Sequence, residues 1–387
     1  MNSRMKNIYQ SILLLLIAFG ITILYSSCSK DKDLQGAEPS ISYIRITDPL
    51  SSDSLLVSAS QGNLIAIVGQ NLQNTTEIWF NDQKAVLTPT YITNTSILVS
   101  VPPEIPIEIT NIMKLIFSNG KSLEHNFKLE ISKPVINSML SEYVLAGDIA
   151  TIRGNFFYEP LTVTFEGGII GELESVEENM LQVRVPEGAQ PGQITIKTNF
   201  GETKSDFWFK DNRNIFLSSD PFTGWWNASF VVSNPGPDDP VAINGNYIRV
   251  KQFVAGWSWL EIAGGPPDAM GDISKNIPDE AILKPEDYNL KFELNTLKPF
   301  DNNVLKINVG LSNDFYNDAY LFNPPINTGG KWQTIVIPFD EIAKSYGSPL
   351  SLSDKGYYTR LLFHGGGDLD ADMSFDNFRV VPKTIKK

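Results

Sequence analysis

A ten-residue pattern occurs twice in this chain, and it confines what the first half can fold into. Gly62-Asn63-Leu64-Ile65-Ala66-Ile67-Val68-Gly69-Gln70-Asn71 matches Gly147-Asp148-Ile149-Ala150-Thr151-Ile152-Arg153-Gly154-Asn155-Phe156 in glycine spacing and apolar positions. The likeness continues: Phe80 falls on Phe165, Ile97-Leu98-Val99-Ser100-Val101-Pro102 on Leu181-Gln182-Val183-Arg184-Val185-Pro186, and Asn119-Gly120 on Phe200-Gly201. A unit that recurs after about 80 to 85 residues implies two successive domains of one kind. Each copy consists of short stretches of alternating polarity bounded by Gly, Asn and Pro, which points to strands and turns, and so to a small β-sandwich. Its glycines read as tight turns and close backbone approach, not as a phosphate cradle.

The copies resemble IPT/TIG domains, an immunoglobulin-like family. Lys133-Pro134-Val135-Ile136 opens the second copy, Gly147 to Gly154 carries the G-D-x-x-T-I-x-G core, and Val183-Arg184-Val185-Pro186 closes a strand. The first copy has Gln61-Gly62-Asn63 in place of the Gly-Asp step and a longer Pro102-Pro103 region. On this basis residues 41–131 and 132–210 are two immunoglobulin-like sandwiches acting as spacers, joined by a short connection near Ser132 to Pro134 that limits swinging.

After about Asp211 the composition changes. Trp225, Trp226, Trp257, Trp259 and Trp332, five of the seven tryptophans, lie in residues 211–387, among loops such as Ser233-Asn234-Pro235-Gly236-Pro237-Asp238-Asp239-Pro240. Alternating segments recur at Asn246 to Phe253, Trp257 to Ile262, Tyr288 to Asn295, Val304 to Leu311, Trp332 to Phe339, Thr359 to His364 and Met373 to Val381, with a helical turn expected near Asp340 to Ser345. That spacing predicts a jelly-roll β-sandwich, so the whole chain is all-β.

Within this last domain, Trp257-Ser258-Trp259-Leu260-Glu261-Ile262 reads as a strand. Leu260 and Ile262 then face the core, while Trp257, Trp259 and Glu261 face the other way. Two exposed indoles are costly in water unless something covers them. A flat apolar ring flanked by hydrogen-bonding groups suits a sugar, whose faces present C–H groups and whose rim presents hydroxyls; the alternative is that both rings fill a two-layer core. Alternation elsewhere leaves Lys291, Glu293 and Asn295 opposite Tyr288, Leu290, Phe292 and Leu294. It also leaves Asn308 opposite Leu305, Ile307 and Val309, and Arg360 and His364 opposite Leu361 and Phe363. These groups could join the tryptophans on one concave face. Trp225 and Trp226 are adjacent and so point to opposite sides; we assign Trp226 to the ligand side and Trp225 to the core. Trp332 reads as a strand-entry packing residue.

Catalysis finds little support. There is no Gly-x-Ser-x-Gly elbow and no His-Glu-x-x-His, and His125 and His364 are the only histidines. Glu261 with Glu293 could supply a glycosidase pair, but the close-set acidic strand motif of jelly-roll glycosidases is absent. Asp368, Asp370, Asp372 and Asp376 could hold a structural calcium, or form a solvated turn; otherwise no cofactor is implied. The net charge of −13 argues against nucleic acid as a partner.

The N-terminus is a processing segment: Arg4 and Lys6, an apolar run from Ile12 to Ile23, then Leu24-Tyr25-Ser26-Ser27-Cys28. It resembles a lipobox with Tyr25 in place of the usual Leu, which assigns residues 1–28 to a lipoprotein signal with lipidated Cys28. Residues 29–40 form a tether whose Ser29-Lys30-Asp31-Lys32-Asp33 looks like the acidic signal of Bacteroidetes surface lipoproteins. Acylation at Cys28 would give a stable outer-membrane lipid anchor.

With anchor, spacers and Trp-rich terminal domain together, the chain is similar to the Bacteroidetes surface glycan-binding protein B family. The resemblance rests on Gly245-Asn246-Tyr247-Ile248-Arg249-Val250, Trp257-Ser258-Trp259, Glu261-Ile262-Ala263-Gly264-Gly265, Gly330-Lys331-Trp332-Gln333-Thr334 and Phe375-Asp376-Asn377-Phe378-Arg379-Val380. It implies non-catalytic capture of a polysaccharide at the cell surface beside a SusC/SusD-like transporter complex, with Trp226, Trp257 and Trp259 as the aromatic platform. Xyloglucan, another β-glucan and a mannan all fit. A surface adhesion lipoprotein that binds protein, and a glycoside hydrolase, are the competing readings.

Overall fold

The computed structural model describes residues 38–48, 50, 54–312 and 319–384. The signal segment with Cys28 and most of the tether lie outside the described residues. The chain divides into two compact units, one ending at Glu130 and one beginning at Ile131. Among the described residues no helix is long and apolar enough to cross a membrane.

The first unit is an immunoglobulin-like sandwich. Ser40–Ile46, Leu64–Gln70 and Ser96–Ser100 form one sheet, and Gln83–Lys84, Thr75–Phe80, Ile112–Phe117 and Ser122–Asn126 the other. Alternate residues such as Ile65, Ile67, Ile78, Phe80, Met113 and Leu115 are buried between them. The second unit opens with the repeat of this fold. Val135–Met139, Ile149–Asn155, Met180–Arg184 and Glu172–Glu177 face Ile169–Ile170, Leu161–Glu166, Gln190–Thr198 and Gly201–Phe209. The repeated glycine has the same physical cause in both copies: a Cβ at Gly69 would meet the Ser40 carbonyl oxygen at 2.0 Å, and one at Gly154 the Val135 oxygen at 1.9 Å. Only glycine lets the paired strands approach this closely.

The C-terminal domain is a two-sheet sandwich. Its strands are β1 (Ile215–Leu217), β2 (Val231–Val232), β3 (Tyr247–Val254), β4 (Leu260–Gly265), β5 (Tyr288–Thr296), β6 (Leu305–Leu311), β7 (Tyr320–Phe322), β8 (Gln333–Pro338), β9 (Tyr358–Phe363) and β10 (Leu369–Pro382). One sheet runs β2-β3-β10-β5-β8, with β1 also on β10; the other runs β4-β9-β6-β7. The core between them is dense in rings: Phe292 stacks on Phe378 at 4.7 Å and 14°, with Phe322 edge-on. The expected helical turn is Phe339–Lys344.

One expectation changes here. The second immunoglobulin-like sandwich packs with the C-terminal domain into one unit. Lys291, Glu293 and Asn295 do sit on the outer face of β5, but that face is covered by the second sandwich, leaving them 5%, 0% and 1% exposed. Glu142 of the second sandwich accepts hydrogen bonds from Lys291 Nζ at 2.5 Å and from Arg379 Nη2 at 2.6 Å. Arg379 also reaches Glu293 at 3.0 Å. Backbone bonds complete the joint, the Thr334 amide donating to the Leu140 carbonyl at 2.9 Å. Alternation revealed which β5 residues turn away from the core, not that a neighbouring domain lies there instead of water.

Candidate functional site

The β4-β9-β6-β7 sheet carries the other outer face, and its β4 end gathers most of the expected residues. The segment Trp257 to Trp259 is not strand: Trp257 has φ +60°, and regular pairing starts at Leu260. It forms the loop between β3 and β4, fastened to the turn after β9. The Trp257 amide donates to the Gly365 carbonyl at 2.7 Å, and the Gly256 amide to Asp368 Oδ1 at 2.8 Å. Both indoles still project outward, Trp257 71% and Trp259 47% exposed. His364 stands between them, its ring 4.6 Å from that of Trp259 and 5.8 Å from that of Trp257, with Nδ1 at 3.2 Å from the Ser258 carbonyl oxygen.

The adjacent tryptophans reach the same edge by a different route. Gly224 bridges Gly264 in parallel, and the Trp225 amide donates to the Gly264 carbonyl at 2.9 Å. A Cβ at Gly224 would lie 2.2 Å from the Gly264 carbonyl oxygen, so glycine is required for this approach. The assignment of the pair is reversed: Trp225 is 60% exposed, whereas Trp226 is half-buried against the core, its ring edge-on to that of Trp225 at 5.8 Å. The segment continues as a turn at Asn227 with φ +46° rather than as a strand, so strand alternation does not decide which ring faces out.

Beneath the rings lie the polar groups. Arg360, 1% exposed, sits with its guanidinium carbon 4.7 Å from the Trp259 ring centre and 5.6 Å from that of Trp226. Glu261 accepts from Arg360 Nε at 2.9 Å, from Arg360 Nη2, and from Trp259 Nε1 at 2.7 Å. Asn308 pairs in register with Arg360 and is 1% exposed; its Nδ2 has no hydrogen-bond partner among the described residues. Arg360 and Asn308 therefore correct the sequence expectation. Their backbone faces the expected way, but they are buried and offer no open surface to a ligand. Glu261 is largely occupied in holding Trp259 and Arg360.

A family model described as the surface glycan-binding protein B xyloglucan-binding domain matches residues 209–382. The C-terminal domain is similar to that family. An IPT/TIG domain model matches residues 52–126. An IPT/TIG domain-containing protein of Bacteroides ovatus is 32% identical over 165 residues, covering 40% of this chain and 33% of that protein. The chain thus spans about a third of the length of this curated relative. In fold it is similar to the crystal structure of the surface glycan-binding protein PbSGBP-B from Prevotella bryantii, with TM-score 0.66 and 24% identity over 90% of this chain and all of that one (100%).

Within the C-terminal domain the structure brings Trp226, Trp257, Trp259, Glu261, Arg360 and His364 together, and it adds Trp225. The signal for Trp225 was present in Gly224 and in Gly264-Gly265, which mark where two backbones meet. Glu293 does not join Glu261: they lie on the outer faces of opposite sheets, so the carboxylate pair considered for glycoside hydrolysis is not assembled. Trp332 packs as expected, edge-on to Tyr247 with Nε1 donating to the Val241 carbonyl at 2.8 Å. The acidic run is spread along β10. Asp370 pairs with Lys298 and Asp372 with Arg249, and no group of three or more His, Cys, Asp or Glu among the described residues is placed to hold a metal.

Proposed function

We propose that this protein captures a neutral β-linked plant polysaccharide at the cell surface without transforming it, and that xyloglucan is its first candidate ligand. One observation carries the reading: the exposed rings of Trp225, Trp257 and Trp259, with His364 among them, gather at one end of a sheet in a domain similar to the xyloglucan-binding family. Exposed indoles offer stacking area to pyranose rings at little cost in conformational entropy. Capture of this kind needs no cofactor. In this reading Cys28 is acylated and anchors the chain to the outer membrane, the first immunoglobulin-like domain acts as a spacer, and the bound glycan passes to a SusC/SusD-like transporter complex.

The test is native affinity electrophoresis of the chain from Ser29 onward in gels containing xyloglucan, mixed-linkage glucan, mannan or starch. Xyloglucan is expected to retard it. Trp259→Ala should weaken binding by roughly 30-fold or more, the usual loss for a central aromatic anchor worth about 2 kcal/mol. No retardation by any β-linked glycan refutes the proposal and favours a protein-binding adhesion role.

A further inference from the structure

The exposed rings come from two segments that are not continuous in sequence. Trp225 and Trp226 lie before β2, while Trp257 and Trp259 lie in the loop before β4, with His364 after β9. One buried cation touches both groups. Arg360 holds its guanidinium against Trp226 at 5.6 Å and against Trp259 at 4.7 Å. Its partner Glu261 ties in both segments again: the side chain accepts from Trp259 Nε1 at 2.7 Å, and the backbone carbonyl accepts from Asn227 Nδ2, next to Trp226.

A buried ion pair is a poor means of adding stability, since desolvation cancels much of the attraction and an apolar pair of similar volume often does as well. A planar guanidinium held by a carboxylate does fix orientation, because its fork accepts one geometry and its face stacks on rings. From this arrangement we infer that Arg360 is a positioning residue: acting through Glu261, it holds the Trp225–Trp226 group and the Trp257–Trp259–His364 group at a set separation and tilt, so that one glycan chain engages both at once. This rests on the glycan-binding reading above. It assigns Arg360 no contact with the ligand, in keeping with its 1% exposure.

If so, the two groups behave as linked subsites, and the loss of Arg360 geometry matters only while both are intact. The test is calorimetric titration of the chain from Ser29 onward with a xyloglucan oligosaccharide of two repeats, in four forms: wild type, Arg360→Lys, Trp225→Ala, and the last two combined. Arg360→Lys keeps the charge but not the fork or the stacking plane. It is expected to weaken the wild type by about tenfold, yet to weaken Trp225→Ala by less than threefold. A merely structural role would lower affinity by the same factor in both backgrounds, and that result, or no effect in either, overturns the inference. Should Arg360→Lys not fold, Glu261→Gln replaces it in the same comparison, with the same expected and refuting outcomes. A wild type that binds no glycan at all would count against the proposed function itself, which keeps the two failures distinct.

Discussion

Replacing Glu142 by Gln tests whether buried charge, rather than shape alone, holds the binding domain on the second immunoglobulin-like sandwich. Glu142 is 3% exposed, and its carboxylate is the only anion paired with Lys291 among the described residues. It is also one of two paired with Arg379. Glutamine keeps the shape and one acceptor but removes the charge. Arg379 retains Glu293, whereas Lys291, 5% exposed, is left with a neutral neighbour. Removing one partner of a buried pair costs about 3–5 kcal/mol, and the remaining Glu293 contact places the expected loss near the lower end, about 3 kcal/mol. For a unit of this size that corresponds to a Tm lower by about 6–12 °C. Differential scanning calorimetry of the whole chain measures it, with Glu172→Gln, at an exposed pair with Arg184, as a control expected to show no resolvable change. A fall of less than about 2 °C would refute the reasoning. It would mean that backbone bonds and surface fit alone hold the joint.

The tryptophan pair separates binding from stability: Trp225→Ala should weaken glycan binding with Tm unchanged, while Trp226→Ala should also lower stability by about 2–3 kcal/mol because its ring packs on the core. Paired titration and thermal melts check this. The joint also carries a pH signature. Burial pushes Glu293 and Asp376 above the ordinary carboxylate range; Arg379 opposes this at both, while like charges reinforce it, Glu142 at Glu293 and Glu293 at Asp376. Their folded pKa values thus exceed the unfolded ones, and within that window the folded state binds more protons. Stability should then rise as pH falls from neutral toward about 5. Urea midpoints across that range test it, and Asp376→Asn should flatten the slope.

Much of the architecture was legible because strand periodicity is local. The period-two pattern located β3, β5, β6, β8, β9 and β10 to within a few residues, and the repeated glycines marked strand approaches that only glycine permits. The outward side that the sequence suggested for Trp257, Trp259 and His364 is where the structure groups them, the two indoles exposed and the imidazole beside both. The local backbone that presents the rings was not legible. Trp257 has a left-handed backbone and Trp226 precedes a turn, so strand alternation did not apply where the rings are presented.

What the sequence determined by itself was the all-β class, the repeated sandwich and the aromatic, non-basic character of the binding domain, since these follow from periodicity, glycine placement and composition. What tertiary structure decided was which polar faces meet water. Lys291, Glu293 and Asn295 alternate as a solvent face would, yet a second domain covers them. Arg360 and Asn308 point outward from their sheet, yet lie buried on it, with the Trp226 and Trp259 rings over Arg360. Alternation reports only the side of a strand on which a residue lies; what covers that side is set by segments far away in the chain.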